Sequence, residues 1–223
     1  MSSTESDTTQ SDVSMTSTRS NFSALDASIL KQMEILEMST TILANLFLAV
    51  VIGCYNEAKS PARPLTASAD ATKYNVSPRN DKIECQTDGR ISRLTKSDQR
   101  LTWEALDDPL VLVECKRTEE STYLSQVLAE AVGCVQKRKT LADGQPLIPA
   151  RMVVVCIVVQ QMALTLASFQ ITTEYLQWLE VTILRQNAPE IVMRWTSSMS
   201  LATGVGRMCA VKYIWGVLDS VCE

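Results

Sequence analysis

Glu114 and Lys116 stand two residues apart at the end of the apolar run Leu110-Val111-Leu112-Val113. Side chains alternate across a strand, so a strand here would set both charges on one face, with Leu112 and Leu110 behind them. Apolar chain that ends in paired opposite charges is costly unless those charges are solvated, paired or used. Asp88, just before Gly89, is the second carboxylate of interest. On a strand beside Glu114 it would bring two acids to one end of a sheet, and Mg²⁺ is bound by one or two carboxylates plus water. Lys116 beside them would polarise a water or offset phosphate charge, a combination that suits phosphodiester hydrolysis. The chain has no histidine, which removes Ser-His-Asp and Cys-His catalysis and every histidine-containing zinc site.

The elements that must position these residues follow from patterning. Ser23, with Asp26 three residues on, predicts a helix start ahead of Leu30, Met33 and Leu36. The run from Ile42 to Cys54 is almost wholly apolar but, at about 13 residues, falls short of the roughly 20 that cross a bilayer, so a buried core helix is expected ahead of a membrane segment, which is the weaker reading. Residues 56–78 carry three prolines and many small polar residues, and read as an irregular insertion. Lys82 to Leu94 reads as a strand bent at Asp88-Gly89, joined through a polar excursion to an antiparallel strand ending at Glu114. The stretch after Glu119 has helical spacing, with Leu124, Leu128, Ala131, Val132 and Val135 on one side and Lys137-Arg138-Lys139 at its end. Met152 to Val159 is a buried-strand run, Ala163 to Ile171 its neighbour, and Ile191 to Trp195 a short strand. Residues 173–186 and 204–221 read as helices. The whole is an α/β chain with a mixed sheet.

With 223 residues, 46% of them hydrophobic, the chain suits one core over residues 24–223, preceded by a Ser/Thr-rich tail over 1–23 expected to be disordered. That tail fits neither a secretory signal nor a mitochondrial presequence. The net charge of −4 argues against a broadly electropositive surface, so any nucleic-acid contact must be local. Seven scattered cysteines without a CxxC pair predict reduced thiols in an intracellular protein, with nucleus and cytoplasm unresolved.

These residues resemble the PD-(D/E)XK superfamily of restriction-endonuclease-like nucleases, in the divergent form met in fungal and oomycete proteins. Thr87-Asp88-Gly89 resembles its first half-motif and Glu114-Cys115-Lys116 its acid-any-lysine triplet. The resemblance spans roughly Ser23 to Ile171 and implies an αβββαβ core with a mixed sheet flanked by helices, to which C-terminal helices are added. It also implies that Asp88, Glu114 and the backbone carbonyl of Cys115 hold Mg²⁺, that Lys116 positions the water, and that Gln126 lies near the site. DNA or RNA would be the substrate. Thr87 stands where the family has proline, and Glu130 where some relatives have a tyrosine four residues after the glutamine.

Plainer readings stand beside these. Glu57-Ala58-Lys59 is a second acid-any-lysine triplet, so only its place at the end of an apolar strand distinguishes Glu114-Cys115-Lys116. Asp88 before glycine is also an ordinary turn aspartate. Lys137-Arg138-Lys139 suits a helix end as well as it suits a nucleic-acid contact, and the four tryptophans suit core or rim positions. Two functional classes remain: a Mg²⁺-dependent nuclease, or a catalytically inactive nuclease-like fold serving as a protein-interaction module.

Overall fold

The structure, a computed structural model, describes residues 18–78, 81–96, 103–116, 123–142, 150–180 and 187–222. Residues 1–35 cluster as one unit, and residues 36–223 form a second, which carries the sheet. The tail expected over residues 1–23 falls mainly outside the described residues.

In chain order the elements are helix α1 (Thr18–Lys59), strands β1 (Leu65–Ser68), β2 (Thr72–Val76), β3 (Ile83–Thr87), β4 (Gly89–Lys96) and β5 (Trp103–Lys116), helix α2 (Tyr123–Ala142), strands β6 (Arg151–Gln160) and β7 (Ala163–Thr172), helix α3 (Thr173–Glu180), strands β8 (Val192–Trp195) and β9 (Met199–Ser200), and helix α4 (Gly204–Cys222). The main sheet has seven strands in the order β1-β4-β5-β6-β7-β8, with β9 also on β7. β1, β4 and β5 are antiparallel neighbours, and β6 lies parallel to β5 after the α2 crossover. A parallel neighbour requires such a crossover, and a helix is its usual form. The fold is therefore α/β with a mixed sheet.

β6 (RMVVVCIVVQ) carries apolar residues at consecutive positions because both of its faces are covered. Val155, Ile157 and Val159 join the cluster beneath α1 and α4, with Val111, Val113 and Cys115 of β5. Val154, Cys156 and Val158 join the opposite cluster, with Leu112, Phe169, Ile171 and the α2 residues Val127, Ala131 and Val135. Full burial of side chains such as Phe169 and Leu164 contributes about 1.5–3 kcal/mol each. In α2, Gly133 allows the helix to approach β2, since a Cβ there would lie 2.6 Å from the Tyr74 Cβ.

Several expectations are corrected. Residues 56–78 are not an irregular insertion: α1 runs on to Lys59, and β1 and β2 follow. The Asn56 side chain fixes that connection, its Nδ2 donating to the Leu65 carbonyl at 2.8 Å and its Oδ1 accepting from the Leu65 N–H at 2.9 Å. Lys82–Leu94 is two strands in two sheets, β3 with β2 and β4 with β1 and β5, because the chain changes partner at Asp88. Within the polar excursion before Pro109, residues 103–109 are the first part of β5, paired with β4 from Trp103. Leu110 does not lie behind Glu114. Ser92 pairs with Pro109 and Ile91 with Val111, so Leu110 is an extra residue in a bulge and joins Val111 in the α1-side cluster.

The apolar run in α1 is only half a core helix. Ala44, Leu48, Val51, Ile52 and Tyr55 are buried, whereas Ile42, Leu43, Leu46 and Val50 are exposed. By length and composition Met38–Lys59 is long and apolar enough to cross a membrane, with mean hydropathy 1.8, yet 33% of its most apolar window is buried.

Candidate functional site

Parallel pairing of β5 with β6 carries the strand to Lys116, opposite Gln160. Alternation then places Leu112, Glu114 and Lys116 on the α2 face, while Val113 and Cys115 face α1. The predicted sharing of one face by Glu114 and Lys116 is what the strand produces, with Leu112 alone behind them. The other triplet, Glu57-Ala58-Lys59, ends α1 with all three residues exposed, and Lys59 pairs with Asp219 at 3.1 Å.

Glu114 is 1% exposed. Its Oε1 forms an ion pair with the Lys116 Nζ and accepts from the Gln126 Nε2 at 2.8 Å. Gln126 lies on the first turn of α2 and serves both charges, since its Oε1 also accepts from the Lys116 Nζ at 2.8 Å. Its Nε2 further donates to the Glu130 Oε1 at 3.0 Å, one helical turn on. Four side chains thus form one network between the end of β5 and the start of α2. Glu130 is fully buried, no side chain outside the pair donates to the Glu114 Oε2 or the Glu130 Oε2, and the two carboxyl groups hydrogen-bond each other when Glu130 is protonated.

Asp88 occupies the half-buried bend between β3 and β4, where it meets the end of β5. Its N–H donates to the Val113 carbonyl at 3.1 Å, and its Oδ2 accepts from the Cys115 N–H at 2.7 Å. Gly89 makes this junction possible: a Cβ there would lie 2.8 Å from the Ser68 carbonyl oxygen of β1 and 3.1 Å from the Asn45 Oδ1 of α1. Asp88 is therefore joined to β5 through the backbone on either side of Glu114, and its charge acts on the Glu114 carboxyl.

The electrostatics follow from burial. Desolvation pushes Glu114 up to about 7, with the Asp88 charge adding and the Lys116 ammonium opposing. Desolvation followed by the Glu114 charge pushes Glu130 up to about 9, against the hydrogen bond from Gln126. For Lys116, burial favours the neutral amine, but the charge and hydrogen bond of Glu114 outweigh it and the pKa is raised. Burial pushes the Cys115 thiol up to about 12, so it is no nucleophile.

The structure thus brings Asp88, Glu114, Cys115, Lys116 and Gln126 to one sheet end, and adds Glu130. Glu130, at i+4 from Gln126 among Val127, Ala131 and Cys134, reads in sequence only as a polar residue on a helix. Among the described residues no three Asp, Glu or Cys side chains are gathered in a cation-ligating group. A cleft of about 500 Å³ lined by Lys73, Tyr74, Gly133 and Lys137 contains none of the network residues.

The basic cluster has structural partners. Arg138 pairs with Asp108 at 2.6 Å and donates to the Pro109 carbonyl, tying α2 to the β5 bulge, and Lys139 pairs with Glu180 at 3.0 Å. Trp215 meets Tyr55 edge-on at 5.8 Å, and Trp195 meets Phe169 at 6.3 Å, so both are packing residues. The side chain of Trp103 lies outside the described residues. No family model matches the chain, and no curated protein matches it in sequence.

Proposed function

We propose that the chain is a divalent-cation-dependent nuclease of the PD-(D/E)XK type, acting on DNA or RNA at the end of β5. The observation that carries this reading is the buried network of Glu114, Lys116 and Gln126, with an unpartnered Glu114 oxygen beside the charge of Asp88. The order of elements supports it: α1, then β1, β4 and β5 with the β2–β3 hairpin inserted, then α2 and the parallel β6. The acid pair falls at the start of the second strand of that core and the end of the third.

The residues fit Mg²⁺. A buried carboxylate oxygen without a donor is a hard anionic ligand whose desolvation a cation would offset. Asp88 and Glu114 would hold the ion, and the Cys115 carbonyl is the third ligand the resemblance implies. When bound, such an ion supplies charge neutralisation at the phosphate and a lower pKa for a coordinated water. Lys116 does the rest. Among the described residues two of its three N–H donors are taken, by Glu114 and Gln126, which orient the ammonium, and the third would serve a water or phosphate oxygen. Gln126 fixes the head of Lys116 and the carboxylate of Glu114 with one amide, so both charges move together.

Incubation of purified protein with plasmid and with single-stranded RNA in Mg²⁺ tests this. Cleavage that EDTA abolishes and Lys116→Met reduces about a hundredfold or more is expected. Cleavage that survives the substitution, or its absence on every substrate, contradicts the reading.

One observation favours the second reading, an interaction module. Ile42, Leu43, Leu46 and Val50 of α1 and Val205, Met208 and Tyr213 of α4 are exposed apolar residues. An inactive protein that self-associates or binds a partner through that face would fit this reading instead.

A further inference from the structure

We propose that Glu130 is a cation ligand, donated from α2, and that it and Glu114 grip one divalent ion through their Oε2 atoms, to which no side chain outside the pair donates. This inference rests on the nuclease reading and adds a residue that the resemblance does not supply.

The position of Glu130 is costly without such a role. It is fully buried on the apolar side of α2, beside Val127, Ala131 and Cys134. A carboxylate in that setting needs hydrogen bonds or a countercharge. Outside the hydrogen bond it shares with Glu114, it receives one, from the Gln126 Nε2 to Oε1, and no other side chain donates to Oε2. Glu114 stands in the same condition, with Oε1 shared by Lys116 and Gln126 and Oε2 without a further donor. Because one amide nitrogen holds both Oε1 atoms, at 2.8 Å and 3.0 Å, the two carboxyl groups lie side by side.

Charge points the same way. Glu114 and Glu130 are two carboxyls beside the one ammonium of Lys116, whose ion pair is with the Glu114 Oε1. A cation with a preference for oxygen donors matches the two oxygens to which no side chain outside the pair donates. Gln126 then acts in a second way, since its NH₂ group holds the two ligands in register before the ion arrives, as groups behind metal ligands commonly do.

The test is Mn²⁺ binding to the full chain, read by the loss of the free-ion electron paramagnetic resonance signal, with circular dichroism to check folding. Glu130→Gln keeps an acceptor for Gln126 and removes the charge; it should fold and bind Mn²⁺ about tenfold or more weakly than wild type. Glu114→Gln should lose binding further. Wild-type affinity in Glu130→Gln alongside weakened binding in Glu114→Gln would overturn the inference and leave the nuclease reading standing. No Mn²⁺ binding by the wild type would overturn both. If Glu130→Gln does not fold, Glu130→Asp decides: a carboxylate drawn back by one methylene should weaken binding several-fold, and unchanged affinity overturns the proposal.

Discussion

The residues at the end of β5 are costly to the fold before they are useful to anything else. Glu114 and Glu130 both favour their protonated forms in the folded chain, so stability in EDTA should depend on pH. The usual Glu value is 4.5, and the folded values are raised to about 7 and about 9. The folded state therefore binds more protons than the unfolded state between these limits. Stability is fully present below about 4.5 and is lost as pH rises through 7 and then 9. Urea midpoints measured in EDTA should fall from pH 5 to pH 9, and Glu130→Gln should flatten the decline at its alkaline end. A wild-type midpoint that holds constant or rises over that range would contradict the burial argument. Gln126→Leu should destabilise the chain by about 1–3 kcal/mol, because buried carboxylate and ammonium groups lose their donor and acceptor together; denaturant titration checks this. Of these four residues, Glu114, Lys116 and Gln126 were legible in the sequence from type and spacing. Glu130 was not, because a lone acid within a helix carries no mark of burial until the helix is docked.

At the scale of elements, the site depends on how closely β4 approaches β1 and β5. Gly89 sits where a Cβ would lie 2.8 Å from the Ser68 carbonyl oxygen, and backbone cannot rotate away as a side chain can. Gly89→Ala should cost about 1–3 kcal/mol in thermal denaturation and, by displacing Asp88, should reduce cleavage more than the stability loss explains. Equal effects on both would separate Asp88 from function. β6, β7 and α4 could be read from the sequence nearly to their ends, whereas the first half of β5 was hidden in a polar stretch. β6 and β7 are apolar runs, and α4 follows the Gly204 boundary. β1 and β2 were missed because their residues, such as Thr66, Ser68, Lys73 and Asn75, make weak strand patterns among prolines. Their strand state comes from partners, Arg90 to Arg93 for β1 and β3 for β2. The bulge at Leu110 was equally hidden, since it is set by pairing with Ser92 and Ile91 and by the Arg138 contact to Pro109.

For the molecule as a whole, two apolar clusters on opposite faces of one sheet hold the β5 end in place, and the outer face of α1 adds little to that. Leu48, fully buried, and Leu46, 60% exposed, are two positions apart on the same helix. Leu48→Ala should cost about 2–5 kcal/mol, whereas Leu46→Gln should change stability by no more than about 0.5 kcal/mol, as read by urea denaturation. A large loss at Leu46 would show that the exposed α1 face is covered by something in solution. The measurement that tests the central claim most directly is the cleavage rate of an end-labelled oligonucleotide across a Mg²⁺ titration, for wild type and Lys116→Met prepared in parallel. A rate that rises to saturation with Mg²⁺ in the wild type and is absent in the substituted, folded chain is the predicted result. A rate independent of Mg²⁺, or equal in the two proteins, would contradict the assignment of chemistry to the end of β5.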